Sequence, residues 1–178
     1  GAGEYKNWKP GVAGFLLLSD FRQAAGLSEA KPVSTVERMA KARKLKVKAV
    51  GQYRMSAVTN IAAKLSPEDQ LYCLSVALDE IDHDAQRSQT LGGDWAQGDL
   101  GSVRARYRAS AAQRCLLRAP GGAALLDKGV VQTADAMSQA LKRPGVTVAV
   151  VDLGFLLPAN GVLDRLKAGG ATVTSPVE

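Results

Sequence analysis

Aromatic residues are scarce in this chain, at 5% of its 178 residues. A core must therefore rest mainly on Leu, Val and Ala, a composition that favours helices. Histidine is scarcer still, with His83 as the single copy. Cysteine occurs only at Cys73 and Cys115, with no Cys-x-x-Cys pair. Two thiols without His or Cys neighbours do not make a zinc site. A bridge between them would require export to an oxidising compartment, since cytosolic thiols stay reduced; two buried free thiols are the other reading. No run of about 18 apolar residues occurs, which excludes a membrane-spanning helix. There is no nucleophile elbow, phosphate loop or dinucleotide fingerprint, and Gly11-Val12-Ala13-Gly14 lacks the preceding strand a phosphate loop requires. A serine triad built on the lone His83 has no supporting spacing.

What is present is ordinary for a globular chain: 46% apolar residues and 22% charged. The formal charge is +6, and two clusters carry much of it. Lys41, Arg43, Lys44, Lys46 and Lys48 form one, and Arg104, Arg106, Arg108, Arg114 and Arg118 the other. Neither has a ladder of aromatic residues or a nucleic-acid module beside it, so nucleic acid is not expected. Both clusters read as solvated faces, with a surface for nucleic acid or anionic lipid as the alternative.

Local signals place the elements. Residues 11–26 are apolar and read as a buried helix, or a strand running into one. Ser34-Thr35-Val36-Glu37 has capping-box spacing for a helix reaching about Leu45. Residues 46–51 alternate and read as a short strand. Ser66-Pro67-Glu68-Asp69 is the clearest helix start, with a serine cap, proline at the first position and acids in the first turn. Leu71, Leu74, Leu78, Ile81 and Ala85 then give an apolar face, opposite Asp79, Glu80, Asp82 and His83. Gly92-Gly93 should end or break that helix. Asp99 caps another, expected to reach about Arg118. Pro120-Gly121-Gly122 interrupts the chain before a helix over 123–142. Residues 146–152 (VTVAVVD) have the pattern of a strand buried on both faces. A short helix capped by Asn160 and a last strand over 172–177 would complete a βαβ unit. The expected fold is α/β and helix-dominated: several helices on a small mixed sheet with a C-terminal βαβ unit. Residues 1–8 read as a tag remnant or extended N-terminal arm, and 9–178 as a single domain.

The run from Val148 through Asp152-Leu153-Gly154-Phe155 to Gly161-Val162-Leu163 and Gly170-Ala171-Thr172-Val173 resembles the closing motif of the TraB/GumN family. Upstream, Ala40-Lys41-Ala42, Ser66-Pro67-Glu68-Asp69-Gln70 and Trp95-Ala96-Gln97-Gly98-Asp99 fall in the family's order. The resemblance implies a plan shared with metal-dependent hydrolases or proteases, and an N-terminal half that this chain lacks. It also implies where chemistry should sit, and there the chain departs. Phe155 stands at the histidine of the terminal Gly-x-x-His motif, and Asp152 at its first glycine. Gly154 lies within the same turn. Gly51 stands at an acidic position, and Gly129 and Val130 where the family carries an Arg-Asn pair. A catalytic divalent metal needs about three protein ligands and an open site. Phenylalanine and glycine supply none, so neither a metal nor another cofactor is expected.

The resulting expectation is a catalytically degenerate protein that binds, scaffolds or assembles. Its rival is a hydrolase completed by a missing segment or a second chain. His83, with Asp79 at helical spacing, is read as a surface histidine, with metal ligation as the alternative. Asp152 is read as a turn cap, with a residual ligand or base as the alternative. Unpaired strands recruit neighbours, so a homodimer or a protein partner is expected. The family's exported members imply a periplasmic or secreted location.

Overall fold

The computed structural model describes residues 5–27, 32–50 and 64–174, and every regular element among them is helical. These are α1 (Pro10–Ala24), α2 (Pro32–Ala42), α3 (Pro67–Ala96), α4 (Leu100–Ala105), α5 (Ala111–Arg118), α6 (Gly122–Leu141), α7 (Leu153–Leu156) and α8 (Val162–Ala168). They divide between two compact units. One comprises Gly1–Ser28, Met55–Ala123 and Thr174–Glu178; the other comprises Glu29–Arg54 and Ala124–Val173.

In the first unit, α3 starts as its sequence dictates. The Ser66 hydroxyl accepts the Asp69 amide at 3.1 Å, Pro67 opens the helix, and Glu68 and Asp69 lie in its first turn. It does not stop at Gly92-Gly93 but continues to Ala96. Each helical glycine costs about 1 kcal/mol relative to alanine, too little to end a helix already many turns long. The buried face also differs from the one that the leucines suggest. Gln70, Cys73, Val76, Ala77 and Glu80 are buried, while Leu71 and Leu78 are exposed. The cause is the partner helix. α1 presents Gly11 and Gly14, and a Cβ on Gly14 would lie 3.0 Å from the Cβ of Ala77 and 3.1 Å from the Cα of Leu74. Small residues meet small residues, and the two helices run side by side in the same direction. The glycine pair at 11 and 14 is thus a packing device.

α5 lies against α3 in the opposite direction, with Ala111 beside Glu80 and Cys115 bonded to Cys73. The disulfide spans a Cα–Cα distance of 4.9 Å and sits in a core with Leu18, Val76, Ala77 and Ala111. The single helix expected from Asp99 to Arg118 is two. Asp99 caps α4 by accepting the Ser102 amide at 2.9 Å. Ser110 then starts α5 with a full capping box: its hydroxyl accepts the Gln113 amide, and the Gln113 side chain accepts the Ser110 amide.

In the second unit, Ala134, Val162 and Leu166 form the core, and Val130, Met137, Phe155, Leu156 and Ala171 pack against it. The expected α/β architecture is overturned: among the described residues there is no strand, no mixed sheet and no βαβ unit. Val146 and Val148, expected to be buried on both faces, are 96% and 76% exposed. β-branched composition favours a pleated, half-buried surface, but a strand exists only through a partner's backbone, and none of the described residues provides one. Residues 46–50 and 172–174 are likewise without strand. Residues 175–178, the rest of the expected last strand, lie outside the described residues.

Two helix starts also shift. α2 begins at Pro32, so Ser34 and Thr35 lie inside it and do not cap it. Its end is a left-handed turn: Lys44 has φ 55, its amide donates to Lys41 O, and the Leu45 amide donates to Ala40 O. At α8 the cap is Gly161, one residue after the expected Asn160. Asn160 takes a φ of 60 and donates its amide to the Asp164 carboxylate at 2.9 Å.

Candidate functional site

The residues at the C-terminal motif form a tight turn. Asp152 caps α7, its carboxylate accepting the Gly154 amide at 2.7 Å. That places Phe155 within the single turn of α7, half-buried against the core of the second unit. The turn closes on Gly161. Its amide donates to Pro158 O at 2.8 Å, and a Cβ there would lie 2.6 Å from Pro158 O and 2.8 Å from Phe155 O. Only glycine leaves room for those carbonyls. Val162, the next residue, is fully buried. Gly129 is buried within α6, and Val130 packs on the same Ala134–Val162–Leu166 cluster as Phe155. The turn is therefore braced by backbone hydrogen bonds and apolar packing. Gly51 lies outside the described residues.

His83 is elsewhere, on α3 of the first unit. Its Nδ1 lies 3.7 Å from an Asp84 oxygen, but Asp84 already accepts from Arg22 at 2.9 Å. Asp79, the spacing partner proposed for His83, is engaged by Arg108 and Arg114. The Arg114 hydrogen bond is the main reason the Asp79 carboxyl is held below its ordinary value, with both arginine charges adding to the effect. Arginines of the second basic cluster thus neutralise the acidic side of α3. Arg106 pairs with Asp94, and Arg118 pairs with Asp69 and lies over the Tyr72 ring at 4.5 Å.

Glu80 is the residue that sequence reasoning misplaced. It is buried, accepts from Arg22 at 2.7 Å and from the Ala111 amide, and lies 3.8 Å from Arg114. Its position four and seven residues after Val76 and Cys73 puts it on the core face, a signal masked by its acidic neighbours.

A profile of the TraB/PrgY/gumN family matches residues 1–175. The chain belongs to this family. No curated protein and no solved structure matches it. Seen on that family's plan, two positions where its resemblance calls for polar chemistry, 155 and 130, hold apolar side chains packed on one cluster. The Asp152 carboxylate is committed to its own turn. Among the described residues no three His, Cys, Asp or Glu side chains gather where one ion could be held. The described residues at these positions do not fit a catalytic divalent metal. None of the described helices is long and apolar enough to cross a membrane.

Proposed function

We propose that this TraB/PrgY/gumN protein is a catalytically degenerate member that acts as a binding, scaffolding or assembly component, in the periplasm or secreted. The observation that carries the reading is the shared packing of Phe155 and Val130 on the Ala134–Val162–Leu166 cluster. Side chains that donate no lone pair stand where the family resemblance implies a histidine and part of an Arg-Asn pair. The disulfide between Cys73 and Cys115 supports an oxidising compartment, because such bonds persist in exported proteins. The exposed valines at 146 and 148 support a protein partner or a second copy, since exposed β-branched segments recruit backbone partners.

The test is elemental analysis of the purified chain, followed by calorimetric titration with zinc, manganese and cobalt. The proposal expects substoichiometric metal and no saturable binding. Tight, stoichiometric uptake would overturn it and restore the rival reading, a hydrolase or protease completed by a further segment or a second chain.

A further inference from the structure

The two basic clusters have opposite fates. The arginines at 106, 108, 114 and 118 are all paired with carboxylates of α3. Lys41, Arg43, Lys44, Lys46 and Lys48 are exposed, and among the described residues none of them forms an ion pair. The cations of the first cluster are available to a partner, whereas four of the five in the second are held by carboxylates of α3.

The surroundings of the free cluster are amphipathic. Helix α2 has no buried residue and among the described helices packs extensively on none, yet it exposes Val33 and Met39. After its left-handed end, lysine and apolar residues alternate strictly as Lys44-Leu45-Lys46-Val47-Lys48-Ala49. Leu45 is 61% and Val47 54% exposed. A shallow hollow lined by Glu37, Lys41, Lys44, Leu45 and Val47 joins helix and tail, and among these described residues Glu37 is the only acid. Lys44 itself holds φ 55, a conformation that favours glycine and costs a side chain about 1 kcal/mol. A lysine kept at a position better suited to glycine points to a use for its charge.

We infer that residues 32–50 form a peripheral docking arm for an anionic phospholipid bilayer. Lipid headgroups attract juxtaposed lysines, and aliphatic side chains enter the boundary beneath them while lysine stems lie along it. Nucleic acid fits less well, because the described arm holds no aromatic side chain on which a base could stack. This inference does not depend on the loss of catalysis.

Flotation of the full chain with vesicles tests it, using phosphatidylcholine alone and phosphatidylcholine with about 30% phosphatidylglycerol. Binding is expected only to the anionic vesicles, falling steeply as salt rises from about 0.1 to 0.5 M. Replacing Lys44, Lys46 and Lys48 by Ala should lower partitioning roughly 100-fold, about five-fold per lysine. Leu45→Ser with Val47→Ser should lower it roughly ten-fold or more with the charge unchanged. Lys44→Gly separates folding from binding: it should raise the unfolding midpoint and still weaken partitioning about five-fold. All sites are exposed, and unchanged helical circular dichroism will report an intact fold. Absence of flotation, equal binding to neutral vesicles, or equal binding by the triple variant would each overturn the inference. Tighter binding to a labelled oligonucleotide than to anionic vesicles would overturn it too.

Discussion

Gly161 and Glu80 show how single side chains set this structure. Gly161 sits under the carbonyls of Pro158 and Phe155, so Gly161→Ala forces a shift of backbone that has nowhere to go. A loss of about 1–3 kcal/mol is expected, read as a lower urea midpoint at unchanged slope. Glu80 collects a guanidinium and a backbone amide from two different helices. Glu80→Ala leaves the buried Ala111 amide without its acceptor and Arg22 with Asp84 alone. The expected loss is about 2–3 kcal/mol, measured the same way. An unchanged midpoint would mean that the interaction is replaced by water.

At the scale of elements, legibility followed locality. The starts of α3 and α4 were readable because a serine or aspartate cap and its first turn lie within four residues of each other. The capping of α7 by Asp152 was readable for the same reason. The length of α3 was not, because glycine signals a cost but not whether the rest of the helix exceeds it. Nor was its buried face, which Gly11 and Gly14 on another helix select. Residues 146–151 carried the strongest strand composition in the chain and form no strand, because composition encodes propensity and not a partner. Of the candidate site, the apolar side chain of Phe155 was visible in sequence, whereas its packing on one cluster with Val130 needed the fold.

The contact between α3 and α5 also predicts a pH response. The Asp79 carboxyl lies below its ordinary 3.8, chiefly through Arg114. Its contribution to stability is complete above about pH 3.8 and is lost as pH falls through the lowered folded value. Asp79 is half-exposed, so less than about 1 kcal/mol is at stake. Asp79→Asn should therefore flatten the acid limb of the urea midpoint profile slightly and leave its slope above pH 5 unchanged (about one unit above the ordinary aspartate value). A variant profile parallel to wild type throughout would refute the assignment.

On the scale of the whole molecule, two features stand out. The disulfide closes a loop of 42 residues in sequence, and the chain-entropy relation gives it roughly 4 kcal/mol of stabilisation. Reduction, or Cys73→Ala with Cys115→Ala, should lower the urea midpoint by that order. A midpoint indifferent to reductant would show that α3 and α5 are held by packing alone. The second feature is the packing of Phe155 and Val130 on one apolar cluster, which the proposed loss of catalysis reads as a conversion of chemical positions into core. If Phe155 is now a structural residue, restoring histidine should damage the protein and gain nothing. The decisive measurement is the urea midpoint of Phe155→His with and without zinc. The account predicts a loss of about 1–2 kcal/mol that zinc does not recover. A variant as stable as wild type, or one stabilised by zinc, would contradict it.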